Sequence, residues 1–216
     1  MEILGSSMEI SNLKKDDVVK VKIYDFDKTI CDKDSIFYIL KYIFKKYPLK
    51  FLGTFLINYY KLLMFWQKDN LKEYLIRFLS ILPEEEKREF ILDHIKKYGY
   101  KEVIETMDEE DYLVIICTAS SETYMKYAKE ILNYDILIAT RHDDRHLCGG
   151  NNAKKNKLKN LEELFEKLGV WVDVENSKGY TDSYKNDEYM LRYTEQKYLI
   201  NDKKDGFISI YTKEVK

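Results

Sequence analysis

Two aspartates in the run Asp25-Phe26-Asp27-Lys28-Thr29 stand where an apolar strand should end. Val18, Val19, Val21, Ile23 and Tyr24 read as that strand. Buried backbone offers no solvent to an unpaired carboxylate, so two of them at a strand terminus call for a metal or a reacting group as partner. In an open α/β sheet, ligands settle just beyond the carboxyl ends of the strands, which is where these residues fall.

Three further groups share that position. Thr118-Ala119-Ser120 follows the apolar run Tyr112–Cys117 and precedes a helical pattern. A hydroxyl and small residues at such a turn can expose backbone N–H groups to an anion, although Ser120 or Ser121 also suits a plain helix N-cap. Lys157 opens the amphipathic run Leu158, Leu161, Leu164, Phe165 and Leu168. Its neighbours Lys154, Lys155 and Lys159 make a solvated basic stretch the competing reading, but Lys157 immediately precedes the first leucine of the apolar face. Asp182 and Asp187 bracket a polar segment just past a weakly patterned strand at Gly179–Thr181, and alone they would pass for an ordinary loop. Parallel strands put all these places along one edge of a sheet.

The elements that must position them alternate strand and helix after residue 107. Tyr112–Cys117 reads as a buried strand, Met125, Ala128 and Leu132 as a helix, Ile136–Ala139 as a strand, and Tyr198–Ile200 as the last strand. Such alternation points to a parallel sheet with helices on both faces. Between Ser35 and Met107 the apolar spacing is helical throughout, with Pro83 followed by Glu84, Glu85 and Glu86 marking a fresh helix start. We read about four inserted helices here, far more chain than a crossover needs.

Pro48–Trp66 is strongly apolar but interrupted by Lys50, Asn58 and Lys61. A spanning helix needs about 20 mostly apolar residues with few charges, so a buried helix is favoured, with interfacial membrane contact the lesser alternative. Lys and Arg number 36 against 38 Asp and Glu, which leaves the chain nearly neutral and implies no nucleic-acid partner. Cys31, Cys117 and Cys148 are an odd set without metal-type spacing and suit a reducing cytoplasm. Met1–Asn12 carries Glu2 and Glu9 and lacks the basic start and apolar run of a signal peptide.

Asp25-x-Asp27-x-Thr29, Thr118 after an apolar strand, Lys157 opening a helix and Asp182 with Asp187 resemble, in order, the motifs of the haloacid dehalogenase superfamily of aspartate-nucleophile phosphatases. The helical insertion resembles that of the phosphoserine phosphatase-like subgroup. The resemblance implies an α/β, Rossmann-like three-layer sandwich with a central parallel sheet and an inserted all-helical cap. Residues 18–34 and 108–216 would form the catalytic core and residues 35–107 the cap. It further implies Mg²⁺-dependent hydrolysis of a small phosphomonoester through an aspartyl-phosphate. Asp25 would be the nucleophile, Asp27 the group that protonates the leaving alkoxide and then activates water, and Lys157 the counter-charge. Thr118, the N–H of Ala119 and Asn186 would hold phosphoryl oxygens. The Asp25 carboxylate, the Asp27 carbonyl and Asp182 would ligate the metal, with Asp187 and Thr29 behind them.

Two departures from that pattern stand out. Lys28 occupies a place where relatives often have a small residue. The Asp182–Asp187 spacing is one residue longer than in many members, which leaves open whether Asn186 or Asp187 approaches the metal. Phosphoserine is one substrate implied, and the apolar segment Phe51–Trp66 makes a lipid phosphomonoester with a phosphatidylglycerophosphate-like head group a second. A phospho-aspartate receiver module is the non-enzyme rival, opposed by Asp27 and by the long insertion, and a mutase is the rival within the same fold. His142-Asp143-Asp144-Arg145-His146 with Cys148 reads as a solvated loop rather than a zinc site, and His94 as a core or interface histidine. The sequence leaves the oligomeric state open.

Overall fold

The structure, a computed structural model, describes residues 13–64, 68–143 and 146–212. Met1–Asn12, Trp66 and the Asp144-Arg145 pair lie outside the described residues. Strands β1 (Val18–Val19) and β2 (Val21–Tyr24) open the chain, followed by α1 (Ser35–Lys46), α2 (Pro48–Met64), α3 (Lys68–Leu79), α4 (Glu84–Tyr98) and the short α5 (Lys101–Ile104). The alternating part then runs β3 (Leu113–Ser121), α6 (Glu122–Met125), β4 (Ile136–Thr140), α7 (Lys155–Leu168), β5 (Trp171–Val172), β6 (Lys178–Thr181), α8 (Tyr184–Asp187), β7 (Gln196–Ile200) and β8 (Ile208–Ile210). Six of these strands form one sheet in the order β4-β3-β2-β6-β7-β8. Every pairing in it is parallel.

A wholly parallel sheet must be covered on both faces, and alternate side chains along each strand divide between two apolar clusters. Tyr24, Val114 and Ile116 join Ile39 and Ile43 of α1 and Phe90 and Ile91 of α4. Val21, Ile23, Leu113 and Ile115 join Leu161, Leu164 and Phe165 of α7 on the other face. The result is the expected α/β three-layer sandwich. On the first face the in-register Tyr24, Tyr180 and Tyr198 stack as a ladder, with ring centroids 4.3 and 4.6 Å apart.

Several expectations need correction. The single strand expected over Val18–Tyr24 divides at Lys20, because the chain changes partners there. Val18 and Val19 pair with Trp171 and Val172 in a separate two-stranded sheet, whereas Val21 onward pairs with β3 and β6. Strand β3 continues through Thr118–Ser121 with a register shift after Cys117. The N-cap is Ser121, whose hydroxyl accepts from the Thr123 N–H. The helix expected through Leu132 is the short α6 followed by a 3₁₀ turn over Lys126–Glu130. Strand β8 had no clear signal.

The largest difference concerns α2. In place of a buried helix, its Leu49, Leu52, Phe55, Leu56, Ile57 and Tyr59 are exposed. Helices α1 and α4 already fill the sheet face, and α2 packs on α1 and α3 instead. Phe51 turns inward, its ring 4.5 Å from that of Phe78. Among the described residues no helix is long and apolar enough to cross a membrane.

Candidate active site

Asp25 follows β2 directly, and its backbone N–H donates to the Tyr180 carbonyl at 3.0 Å, prolonging the β2–β6 pairing. The chain then wraps around the Phe26 carbonyl, which accepts from the N–H groups of Thr29, Ile30 and Cys31. Closing that loop puts Lys28 at φ 63°, a left-handed conformation that a residue with a Cβ adopts at some strain. Buried Phe26 anchors the loop, and Asp25 and Asp27 flank it on the wall of a cleft of about 310 Å³.

Lys157, in the first turn of α7, is 3 % exposed. Its Nζ lies 2.7 Å from Asp25 Oδ1 and 2.6 Å from Asp187 Oδ1. Burial alone would lower its pKa, but the two facing carboxylates outweigh it and hold the ammonium well above its ordinary value. The solvated-run reading therefore does not hold for Lys157. Asp187 is fixed from its other oxygen by the Thr181 hydroxyl at 2.6 Å, so the short α8 returns this carboxylate to the end of β6.

Asp27 has a separate set of partners. Its Oδ1 accepts from the Ser35 N–H at 2.7 Å, a free donor at the start of α1, and its Oδ2 from the Ser120 hydroxyl at 2.5 Å. Ser35 Oγ in turn lies 2.9 Å from Ser120 Oγ and 3.0 Å from the Tyr124 hydroxyl. Burial raises the Asp27 pKa, against the pull of the Ser120 and Ser35 hydrogen bonds. Burial also raises Asp25, against the pull of Lys157 and with Asp187 adding repulsion.

Asp25, Asp182 and Asp187 each offer a carboxylate oxygen within 4.8 Å of the others. Asp182 is pushed up to about 6 by burial and by Asp187. Lys157 bonds to two of these carboxylates and Lys28 acts on Asp182, and three clustered hard oxygen donors of this kind suit Mg²⁺. The Asp27 carboxylate is turned toward Ser120 and Ser35.

Thr118, Ala119, Asn186 and Lys28 line the same cleft. Thr118 is buried and its hydroxyl accepts from the Ser120 N–H at 3.0 Å. Thr29 is fully buried, its hydroxyl without a hydrogen-bond partner. Outside the expected set, Asn152 Nδ2 donates to the carbonyls of Thr118 and Ile138 at 2.8 and 2.9 Å and ties β3 to β4 at the cleft. Lys72 reaches from α3 to the Ala119 carbonyl, and burial lowers its pKa against the opposing pull of Asp27 and Asp34. Neither residue carried a sequence signal, since each acts through a partner distant in the chain. His142 Nε2 lies 2.6 Å from the Ser121 hydroxyl, and His94 is buried with Nε2 3.1 Å from the Lys33 carbonyl.

The family model of the haloacid dehalogenase-like hydrolases matches residues 23–192, a span that contains all of these carboxylates and Lys157. A comparison with curated proteins finds no match. Among solved structures, a protein with unknown function from Bordetella pertussis Tohama I aligns with a TM-score of 0.68 at 16% identity, over 86% of this chain and 92% of that one. A phosphoserine phosphatase in its apo form aligns with a TM-score of 0.55 at 19% identity, over 86% and 88% of the two chains. A phosphoserine phosphohydrolase-like protein from Francisella tularensis subsp. tularensis SCHU S4 gives 0.52 at 19%, over 84% and 87%. These structures share the fold with this chain. The family match and the residues it spans lead to one conclusion: the chain belongs to the haloacid dehalogenase-like hydrolases.

Proposed function

We propose that this hydrolase cleaves small phosphomonoesters through an aspartyl-phosphate on Asp25, with Mg²⁺ as cofactor. The observation that carries the reading is the division of labour at the end of β2. Asp25 faces Lys157 and the metal-ligand cluster, while Asp27 faces a hydroxyl network. An attacking carboxylate and a phosphate monoester are both anionic, so Lys157 and Mg²⁺ would lower the repulsion between them. Asp25 would attack phosphorus as its bond to the leaving oxygen breaks, splitting a hard displacement into two. Asp27, with its pKa raised by burial, would give its proton to the departing alkoxide and then take one from the water that opens the acyl phosphate. Thr118, the Ala119 N–H and Asn186 would hold phosphoryl oxygens, and Thr29 would support the loop from behind. Asp25, Asp182 and the Asp27 carbonyl would hold the cation, with Asp187 orienting Lys157.

Residues 35–107 would serve as a cap over a core of residues 18–34 and 108–216, with Lys72 of α3 reaching across to the Ala119 carbonyl. Beyond Asp27 lies a cavity of about 140 Å³, lined by Ile36, Lys72, Leu75, Ile76 and Tyr124 among others, where a small leaving group would sit. Free Cys31, Cys117 and Cys148 fit a reducing compartment such as the cytoplasm. A lipid phosphomonoester is the second reading, favoured by the exposed apolar side chains of α2.

A panel of soluble and lipid phosphomonoesters, assayed for phosphate release with Mg²⁺ and with chelator, tests the reading. Activity is expected only with the metal, and Asp25→Asn is expected to abolish it. Undiminished turnover in that variant would rule out the aspartyl-phosphate route.

A further inference from the structure

Helices α1 and α2 present a surface that the hydrolase chemistry does not use. Phe37 and Phe44, two turns apart on α1, are 62 and 57 % exposed. On α2, Leu49, Leu52, Leu56 and Tyr59 follow one another at three- and four-residue spacing, so they lie along one face of the helix, and all are exposed. Phe55 and Ile57 widen the stripe. Soluble monomers rarely show so many large apolar side chains together unless the patch has a partner.

The charge around the patch is one-sided. From Ser35 to Met64 the sequence contains Lys41, Lys45, Lys46, Lys50 and Lys61 and not one carboxylate, although the whole chain has a net charge of −2. Lys41, Lys45 and Lys50 are exposed, and no ion pair among the described residues engages them. Lys46 alone is drawn to Glu86 of α4, at 3.2 Å. A stripe of Leu, Phe and Tyr on helices whose only charged residues are lysines is the composition that lets a helix lie in a lipid head-group layer, its rings and aliphatic chains below and its ammonium groups among the phosphates.

We propose that the α1–α2 face docks this protein onto the surface of an anionic lipid bilayer. Helix α2 is 17 residues long, about 25 Å at 1.5 Å per residue, and would lie on the membrane rather than span it. A second copy of the chain is the less favourable occupant. A two-fold contact across this face would bring its lysines against their own counterparts with no carboxylate on the face to offset them. Docking would hold α3, the next helix and the bearer of Lys72, close to the membrane surface.

Flotation of the full chain with phosphatidylcholine vesicles, with and without phosphatidylglycerol, tests the proposal. It needs no turnover, so failure of the hydrolase reading would leave its outcome readable. Binding is expected to the anionic vesicles and to weaken with salt. The triple variant Lys41→Gln, Lys45→Gln, Lys50→Gln is expected to reduce partition on the order of a hundredfold. The double variant Leu52→Glu, Leu56→Glu is expected to abolish partition while keeping the wild-type circular dichroism, since both side chains are exposed. Absence of binding to either vesicle, or binding indifferent to both variants, would overturn the proposal. So would a dimer in sedimentation equilibrium that the double variant dissolves while wild type fails to float.

Discussion

At the scale of single residues, Asp25 and Asp27 stand two positions apart yet answer to different groups, the first to Lys157 and the second to Ser120 and Ser35. Asp27→Asn tests that separation. With p-nitrophenyl phosphate, whose leaving group needs no proton, the variant is expected to release about one equivalent of nitrophenol per enzyme. It should then stall as phosphoenzyme, its steady-state rate down by roughly 10²–10⁴. Unaltered steady-state turnover would refute the assignment. His94 makes a separate test, away from the carboxylates. It is packed among the rings of Phe26, Tyr38, Phe90 and Tyr98, and burial lowers its pKa against the weaker opposing pull of the Lys33 carbonyl and Asp34. The unfolded chain therefore takes up this proton first, so stability is complete above about pH 6.5 and falls as pH drops from there toward the folded-state value. Thermal melts between neutral and mildly acid pH should show a shallower fall for His94→Gln than for wild type, and identical slopes would refute it.

At the scale of elements, β6, the strand that leads to Asp182, passes close to the turn at Met190–Tyr193. A Cβ added to Gly179 would come within 2.5 Å of Leu191 Cδ2 and 2.6 Å of Thr194 Oγ1. Gly179→Ala is expected to destabilise the fold by about 1–3 kcal/mol, read from denaturant midpoints, and a neutral result would mean that the turn yields freely. Strand β2 shows what a pattern of apolar residues conceals. Lys22 is fully buried within it, its ammonium 2.8 Å from Glu109 and 4.6 Å from the Tyr112 ring centroid. Burial lowers its pKa and Glu109 opposes that shift. Valines and isoleucines on either side announce a strand, but nothing local announces that a charge inside it will find a partner 87 residues away.

At the scale of the whole molecule, the helical insertion and the sheet share one apolar cluster, from Tyr24 and Ile116 through Ile39 to Phe78 and Leu79. The smaller cavity beyond Asp27 is completed across that junction by Lys72. In the proposed reaction, Lys72→Met is expected to lower kcat/KM by about 10–100-fold, mainly through KM. It removes a hydrogen-bond donor that is already in place before chemistry begins. A variant with unchanged KM and kcat would remove Lys72 from the substrate's surroundings.

Asp25, Asp27, Lys157 and Asp182 were legible because each lies just past a strand's carboxyl end or at a helix start, local events written in apolar periodicity and turn residues, whereas Thr118 lies within β3 and Asp187 closes α8. The parallel sheet and the inserted helices were legible for the same reason. What the sequence by itself determined is thus which elements form and which reactive groups stand at their ends. Only the tertiary structure decided that Lys157 bridges Asp25 and Asp187, that Ser35 and Ser120 hold Asp27, and that Lys72 reaches the β3 terminus. Only the tertiary structure turned the most apolar helix outward. Helical periodicity records which side chains share a face, but whether that face is covered depends on how much of the sheet α1 and α4 have already occupied.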